Sequence, residues 1–333
     1  LGETWAAQIY WEPQSLAPEA GSVAASLVPS SEEAAPFERP SLETILRSFP
    51  EDIAFPISLV ARLDAGLWSH QRRHFAVLTG LSGAGKTVLA RGYALALHEG
   101  QTHPAEGLLT VPVQPGWHDP SCLLGYVNPL NSESYVRTAF VDFLLRASAD
   151  SERPYTVVLD EMNLSHPEQY LAPLLSAMET GGHIELHAQD NDISGVPATI
   201  TYPSNLVIIG TVNMDETTHG LSDKVLDRAA VIEFWDIDVE AFPGWKTSAL
   251  PEAQITKVRD TLKGLVKALR PARLHFGWRT VHDVIGYIEQ AKRGGVIDFD
   301  AALDQAIYAK VLPKLRGEDT PRIQAAFADS RTL

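Results

Sequence analysis

The residues with the clearest chemistry form a glycine-rich run that matches the pattern G-x-x-x-x-G-K-[ST] in full, namely Gly80, Leu81, Ser82, Gly83, Ala84, Gly85, Lys86 and Thr87. Glycines in such a loop let backbone N–H groups converge on phosphate oxygens. The run follows an apolar stretch and precedes a helical one from Val88, whose N-terminus adds a positive dipole. We therefore expect these residues and Val88 to bind a nucleotide, with Lys86 on the β- and γ-phosphates and Thr87 on Mg²⁺. The alternative, a chance glycine loop, is disfavoured by the complete pattern in this context.

A second acidic motif is expected to complete the site. The apolar run Val157-Val158-Leu159 ends in Asp160 and Glu161. A buried strand that ends this way presents its carboxylates at the carboxyl edge of the sheet, beside the phosphate loop. Asp160 is expected to bind Mg²⁺ together with Thr87, and Glu161 to polarise the attacking water. An exposed acidic strand end with no such role is the alternative.

The elements that position these residues alternate between strand and helix. Five short, apolar, β-branched runs are typical of strands buried on both faces: Phe75–Thr79, Leu108–Val113, Tyr155–Leu159, Leu206–Ile209 and Ala230–Phe234. Helical stretches such as Val88–Leu97 and Tyr170–Met178 separate them. This alternation predicts an α/β fold with a five-stranded parallel sheet flanked by helices.

A small all-helical region is predicted after about Asp236. Apolar residues recur there at helical spacing, in Val281, Val284, Ile285 and Ile288 and again in Ala302, Leu303, Ala306, Ile307 and Val311. The N-terminal residues are instead rich in Ala, Pro, Ser and Glu, as in a linker. The sequence therefore predicts three regions: an N-terminal extension or linker (1–40), an α/β nucleotide-binding domain (41–236) and a helical lid domain (237–333).

Composition restricts the partners and the compartment. The formal net charge is −15, and the first sixty residues hold nine acids against Arg39 and Arg47. Such a surface repels phosphodiester backbones, so DNA contact is expected only indirectly, through another chain or a domain upstream of Leu1. No signal peptide or membrane-spanning run is visible, and Cys122 is the single cysteine. We therefore expect a cytoplasmic protein that does not contact membranes.

These features resemble the AAA+ class of P-loop nucleoside triphosphatases, which implies roles for three further residues. Asn213 follows the strand Leu206–Ile209 and occupies the sensor 1 position, where an amide orients the lytic water. Arg228 precedes the fifth strand, where such proteins place an arginine that reaches the nucleotide of the neighbouring subunit. Arg279 begins a C-terminal helix at the sensor 2 position. The alternatives are a turn-capping Asn213 and surface or ion-paired arginines.

Within that class the sequence is similar to the McrB-type nucleotidases. The most specific resemblance is Asn213-Met214-Asp215-Glu216-Thr217-Thr218-His219, followed by Ser222-Asp223-Lys224-Val225-Leu226-Asp227-Arg228-Ala229. Further similar segments extend the resemblance over about residues 60 to 320: Leu159-Asp160-Glu161-Met162-Asn163-Leu164, Leu174-Leu175-Ser176-Ala177-Met178-Glu179, Gly125-Tyr126-Val127-Asn128-Pro129-Leu130, Phe276-Gly277-Trp278-Arg279 and Lys310-Val311-Leu312-Pro313-Lys314-Leu315-Arg316-Gly317.

This resemblance implies a ring, typically a homohexamer, that acts as the motor of a modification-dependent restriction system. It also implies a McrC-like nuclease subunit as partner. Well-known members prefer GTP, but their Asn is followed closely by Thr-Ala-Asp, whereas Asn213 is followed by Met214-Asp215-Glu216. Both ATP and GTP therefore stay open as the substrate.

An insertion is predicted between the second and third motifs. His183–His187 and Ala198–Tyr202 alternate like the strands of a hairpin spanning about residues 183–202, with a tip near Gln189–Asp192. Such a hairpin can face a ring pore or a partner, or it can be solvated without one. The histidines lack metal-ligand spacing, so we expect surface or partner-facing roles for them, and a packing role for Cys122.

Two other functions are compatible with the nucleotide motifs. One is a MoxR-like chaperone that remodels proteins. The other is a scaffold that binds nucleotide only for assembly, against which Asp160, Glu161 and Arg228 argue. A neighbouring gene for a McrC-like nuclease would favour the restriction motor, and one for a metal-adhesion protein of the von Willebrand type would favour the chaperone.

Overall fold

A central parallel sheet organises the α/β part of the chain. The computed structural model describes residues 39–49, 55–98, 103–213, 219–235 and 237–315, together with residues 324, 326 and 328. The five apolar runs of the sequence form the strands β1 (His74–Gly80), β2 (Leu108–Pro112), β5 (Tyr155–Asp160), β8 (Leu206–Asn213) and β9 (Ala230–Phe234). Every residue of β1 and β8 is buried, as expected for strands covered on both faces.

The strand order is β2-β5-β8-β1-β9, with every pair parallel. Because the strands are parallel, their carboxyl ends share one edge, where Gly80 pairs with Asn213 and with Phe234. We call this the carboxyl edge, and the opposite one the amino edge. The loops that follow β1, β5 and β8 therefore converge at the carboxyl edge.

Helices cover both faces of the sheet. The helices of the α/β part are α1 (Leu42–Arg47), α2 (Ile57–Trp68), α3 (Lys86–Ala96), α4 (Ser121–Leu124), α5 (Ala139–Ala149), α6 (Pro167–Tyr170), α7 (Ala172–Thr180) and α8 (Asp223–Leu226). Side chains alternate along β1, so Phe75 and Val77 pack with α5 to α7, and Ala76 and Leu78 pack with α1 to α3. Two apolar cores result, one on each face.

Two short hairpins extend from this sheet. The strands β6 (His183–Glu185) and β7 (Thr199–Thr201) pair antiparallel inside the predicted insertion. A second hairpin, β3 (Tyr126–Val127) with β4 (Tyr135–Val136), has no counterpart in the sequence-based expectations. The Tyr135 hydroxyl donates to the Leu186 carbonyl oxygen at 3.3 Å, which joins the two hairpins.

Among the described residues after β9, the regular elements are all helical. The α-helices are α9 (Glu252–Leu269), α10 (Trp278–Gly294) and α11 (Phe299–Lys310), and they enclose a third apolar core. The stripe predicted on α10 is buried in that core, as are Ala302, Leu303, Ala306 and Val311 of the second stripe. Among the described residues, no helix is long and apolar enough to cross a membrane. The predicted α/β fold, a five-stranded parallel sheet flanked by helices and followed by a helical C-terminal region, is confirmed.

Candidate nucleotide site

The glycine-rich run forms a tight loop between β1 and α3, at the carboxyl edge. Gly83 and Gly85 have φ angles of +71° and +97°, which L side chains rarely adopt. The chain can therefore turn sharply and enter α3 at Lys86, with Thr87 and the half-buried Val88 in its first turn. The N–H groups of this turn have no partners within the helix, so they and the helix dipole favour an anion at the loop.

The Lys86 ammonium group is buried beside this loop, with 5% of the residue exposed. Its Nζ atom donates to the Gly80 carbonyl oxygen at 3.1 Å and to the Leu81 carbonyl oxygen at 2.6 Å. The ammonium is thus held within the phosphate loop.

Oxygen ligands suited to Mg²⁺ meet at the end of β5. The Asp160 Oδ1 atom accepts hydrogen bonds from Thr87 Oγ1 at 2.6 Å and from Thr211 Oγ1 at 2.8 Å. A carboxylate and hydroxyls are hard oxygen donors of the kind that Mg²⁺ binds together with substrate phosphates. The side chains of Thr87 and Asp160 therefore fit the predicted metal role, and Thr211 joins them although the motif analysis did not single it out.

Glu161 has an unusual backbone conformation immediately after Asp160. Its φ and ψ angles of 54° and 45° lie in the left-handed region, which costs a non-glycine residue roughly 1–2 kcal/mol. Its backbone N–H donates to Thr211 Oγ1 at 2.9 Å, so one hydroxyl links the backbone of Glu161 to the carboxylate of Asp160. Asn213 Nδ2 donates to Glu161 Oε1 at 3.3 Å. The strained turn directs the two adjacent carboxylates into different contacts.

A buried amide supports this arrangement from behind. Asn163 is 2% exposed, and its Nδ2 atom donates to the carbonyl oxygens of Asn213 and His219, each at 3.4 Å. The His219 N–H returns a bond to the Asn163 carbonyl oxygen at 3.1 Å. Asn163 therefore joins the two ends of the segment 214–218, which itself lies outside the described residues. The sequence offered no signal for this role beyond the position of Asn163 after the Asp-Glu pair.

The first turn of α10 rests directly on the phosphate loop. The Arg279 N–H donates to the Gly83 carbonyl oxygen at 3.2 Å, and a Cβ atom on Gly83 would lie 2.6 Å from the Arg279 Cβ atom. A Cβ atom on Gly277 would similarly meet the backbone of Gly83 at 2.6 Å. Two glycines are thus needed for this close approach. Arg279 itself is exposed at the loop, beside the predicted phosphate position.

An apolar pocket of about 210 Å³ opens beside the loop. Residues from four parts of the chain line it, among them Phe55, Ala84, Phe234, Ile237, Asp238 and Trp278. Aromatic and aliphatic walls with a single carboxylate suit a flat, partly polar group. The pocket adjoins the phosphate loop at Ala84.

Arg228 lies apart from the other predicted residues. It precedes β9 at the amino edge, whereas the phosphate loop follows β1 at the carboxyl edge, where Gly80 pairs with Phe234. The six residues from Arg228 to Phe234 correspond to about 20 Å of extended chain. Arg228 is therefore too far from the phosphate loop of its own chain to contact a nucleotide bound there.

The remaining histidines and the cysteine show no catalytic arrangement. His183 Nδ1 is 3.2 Å from Thr201 Oγ1, and His187 Nε2 donates to the Val196 carbonyl oxygen at 2.9 Å. His166 and His219 stack with ring centroids 3.9 Å apart. Within the described ranges, no group of three or more His, Cys, Asp or Glu residues could hold a metal ion. Cys122 is half-buried in α4.

Comparisons with known proteins add little about activity. A family model described as a domain of unknown function (DUF8727) matches residues 237–331, the helical C-terminal region. No curated protein matches the chain.

Among solved structures, a closed-state cryo-EM reconstruction of Hsp104 with ATPγS and FITC casein is similar, with 19% identity and a TM-score of 0.44. The match covers 82% of this chain and 47% of that chain, so this chain spans about half the length of Hsp104. PCH-2 from C. elegans is also similar, with 14% identity, coverage of 83% and 73%, and a TM-score of 0.41. The fold assignment therefore depends on the strand order and on the phosphate loop, and not on the similarity to these two structures.

Proposed function

We propose that this chain is a Mg²⁺-dependent nucleoside triphosphatase that hydrolyses ATP or GTP within a ring of identical subunits. One observation carries the proposal: hydrogen bonds connect Thr87, Asp160, Thr211, Glu161 and Asn213 directly beside the phosphate loop. Each of these side chains is of the type, and in the place, that hydrolysis of a phosphoanhydride requires.

Binding uses the phosphate loop and the helix that follows it. Backbone N–H groups of the loop and the first turn of α3 bind the β-phosphate, and Lys86 turns from the Gly80 and Leu81 carbonyl oxygens to the β- and γ-phosphate oxygens. Thr87 and Asp160 would hold Mg²⁺, which when bound neutralises charge on the same phosphates. The purine base enters the apolar pocket, where Phe55 and Trp278 offer aromatic surfaces.

Hydrolysis uses Glu161 as the general base. Its carboxylate orients a water molecule for in-line attack on the γ-phosphorus and accepts the proton as the bond to the leaving nucleoside diphosphate breaks. Asn213 holds Oε1 of that carboxylate and thereby fixes its direction. The exposed Arg279 guanidinium, carried by the helix that rests on Gly83, stabilises negative charge on the phosphates.

A second copy of the chain completes the site. Because Arg228 is about 20 Å along the strand from its own phosphate loop, it acts on the nucleotide of a neighbouring subunit. A transition-state arginine supplied in this way raises turnover by roughly 10³- to 10⁵-fold. Hydrolysis would then require an oligomer, which we propose to be a homohexamer.

At a finer level, we propose a McrB-like motor that drives a McrC-like nuclease in cytoplasmic defence against foreign or modified DNA. Support comes from the sequence around Asn213 and Arg228, although residues 214–218 lie outside the described part of the chain. The acidic composition favours DNA contact through the partner or through a domain outside this sequence.

A turnover assay tests both levels of this proposal. Phosphate release is measured with ATP and with GTP side by side, with and without the neighbouring gene product, which the proposal expects to be a McrC-like nuclease, and with Glu161→Gln as the control. We expect Mg²⁺-dependent release that the nuclease increases and that Glu161→Gln loses. Turnover that a McrC-like nuclease leaves unchanged would contradict the restriction role, whereas absence of turnover with either nucleotide would contradict the enzymatic one.

A further inference from the structure

The Arg228 guanidinium is held in a fixed position by its own chain. Its Nε atom donates to the Leu175 carbonyl oxygen at 3.0 Å, and its Nη1 atom donates to the Lys224 carbonyl oxygen at 2.8 Å. Glu179 Oε1 lies 3.6 Å from Nε, within ion-pair distance, and 25% of the arginine side chain is exposed. Among the described residues, these contacts use Nε and Nη1, on the side of the guanidinium that faces its own chain.

Glu179 lies at a position where a carboxylate destabilises the helix. It lies in the last turn of α7, where the helix dipole and the free carbonyl groups repel negative charge. Two arginines offset this repulsion at the amino edge: Arg73 Nη1 is 2.9 Å from Glu179 Oε1, and Arg228 Nε is the second cation. One carboxylate oxygen thus contacts both Arg73, directly before β1, and Arg228, two residues before β9.

The short helix α6, which immediately precedes the helix α7 that carries Glu179, is anchored close to Glu161 of the same chain. The Tyr170 hydroxyl donates to the carbonyl oxygen of Met162, the residue after Glu161, at 2.9 Å. Tyr170 is fully buried, and burial raises the pKa of its hydroxyl well above the ordinary value, so it stays protonated and donates. A continuous segment therefore begins at Glu161, which acts on the chain's own nucleotide, and ends at Leu175 and Glu179, two of the residues that contact Arg228.

We propose that Glu179 is a positioning residue that holds Arg228 in the direction required by the nucleotide of a neighbouring subunit. This inference rests on the proposed function of Arg228. Transition-state stabilisation depends on donors that are preorganised, and a misplacement of about 1 Å can cost on the order of 10²-fold in rate. A guanidinium with only its two carbonyl bonds keeps more freedom than one that an anion also holds.

The alternative is that Glu179 only forms the ion pair with Arg73 at the end of α7. With such a structural role, the substitution would lower the stability of the subunit that carries it and impair that subunit's own active site. A positioning role changes the site of the neighbour instead. The two roles therefore predict different results when subunits are mixed.

The primary variant is Glu179→Gln, and its matched control is Arg73→Gln. Both substitutions remove the ion pair between Arg73 and Glu179, but only Glu179→Gln also removes the anion beside Arg228. We expect Glu179→Gln to lower kcat about tenfold, with the nucleotide Kd and KM within about twofold of the wild type. Arg73→Gln is expected to keep kcat within about twofold. Equal losses in the two variants would overturn the positioning role.

Mixed rings then show which subunit has the defect. Glu179→Gln subunits are titrated with an excess of Lys86→Ala subunits, which cannot bind nucleotide but carry an intact Glu179 and Arg228. We expect turnover per Glu179→Gln subunit to rise toward the wild-type value, and not to rise when the added subunits carry both Lys86→Ala and Glu179→Gln. Turnover that stays low in both mixtures would overturn the inference.

The Arg228→Ala variant separates failure of this inference from failure of the proposed function. Full turnover by Arg228→Ala would overturn the trans role and, with it, the role of Glu179. Loss of turnover in Arg228→Ala together with full turnover in Glu179→Gln would overturn the inference alone.

Discussion

Asn213 Nδ2 donates to Glu161 Oε1 at 3.3 Å, across the gap between the ends of β8 and β5. The two residues are 52 positions apart in the chain, and parallel pairing of their strands brings them together at one edge of the sheet. One oxygen of the carboxylate is therefore fixed by an amide.

Replacing this amide is expected to reduce catalysis more than binding. Asn213→Ala removes the amide that donates to Glu161 Oε1, so the base samples more unproductive directions. We expect kcat to fall by roughly 10²-fold, the scale of a lost polar contact to the reacting groups, with the nucleotide Kd within about threefold of the wild type. Single-turnover hydrolysis and equilibrium binding measure the two quantities, and an equal loss in both would contradict a role confined to hydrolysis.

The Thr211 hydroxyl is expected to matter for the same site, because it donates to Asp160 and accepts from the Glu161 N–H. Thr211→Val removes both bonds and leaves a carboxylate and an N–H group with fewer partners. We expect a lower affinity for Mg²⁺ and a kcat reduced by at least about tenfold, measured by titrating Mg²⁺ in the turnover assay.

Thr156→Val is the matched control for that experiment. Thr156 lies on the adjacent strand β5 and is fully buried, and among the described residues its hydroxyl has no hydrogen-bond partner. Removing an unsatisfied buried hydroxyl relieves its desolvation cost of about 1–3 kcal/mol, so the free energy of unfolding is expected to stay the same or rise. Turnover is expected to stay at the wild-type level. If Thr156→Val lost as much turnover as Thr211→Val, the loss would reflect a general disturbance of the central sheet and not the two hydrogen bonds of Thr211.

Contact between the phosphate loop and the helical region is expected to fail in Gly83→Ala. The new methyl group would lie 2.6 Å from Arg279 Cβ, at a φ of +71° that alanine rarely adopts. We expect KM for the nucleotide to rise at least about tenfold, since roughly 1–3 kcal/mol of strain and displacement falls on the bound loop. Gly286→Ala in α10 is the control: its methyl group meets no atom within 4 Å and is expected to stabilise the helix by about 0.4–1 kcal/mol. A KM unchanged in Gly83→Ala would contradict the close packing of α10 on the loop.

Arg228→Ala is expected to bind nucleotide normally and to lose hydrolysis, because Arg228 lies at the amino edge, away from the phosphate loop of its own chain. Mixing Arg228→Ala subunits with Lys86→Ala subunits is expected to restore turnover, since each kind supplies what the other lacks. Phosphate release as a function of mixing ratio is the measurement. A mixture no more active than either variant alone would show that Arg228 does not act on a neighbouring subunit.

Much of the fold could be predicted because its signals are local. Each of the five strands is a short apolar run, and the phosphate loop is a contiguous pattern between a strand and a helix, so Gly80–Thr87 and Asp160 could be placed at one edge before any coordinates. Parallel pairing then forces the ends of β1, β5 and β8 to converge. The two-residue strands β3 and β4 escaped prediction because a period of two cannot be recognised over two residues.

The support around the site could not be predicted, because it depends on contacts between distant residues. Thr211 is an ordinary β-branched strand residue until the register of β5 and β8 places its hydroxyl between Asp160 and Glu161. Asn163 is likewise a common loop residue until its amide meets the carbonyl oxygens of Asn213 and His219. The contact between Glu179 and Arg228 joins two distant parts of the chain, the end of α7 and the residues before β9. Such relationships depend on tertiary geometry, which no motif encodes.

Glu161 is proposed to promote hydrolysis of the nucleotide that the phosphate loop binds. The most direct test measures, on the same preparation, the nucleotide bound per chain and the phosphate released in Glu161→Gln and in the wild type, with Mg²⁺ and with ATP or GTP. If hydrolysis depends on Glu161, the Glu161→Gln variant binds triphosphate and releases almost no phosphate, whereas the wild type releases phosphate steadily. Phosphate release by Glu161→Gln at the wild-type rate would contradict the claim.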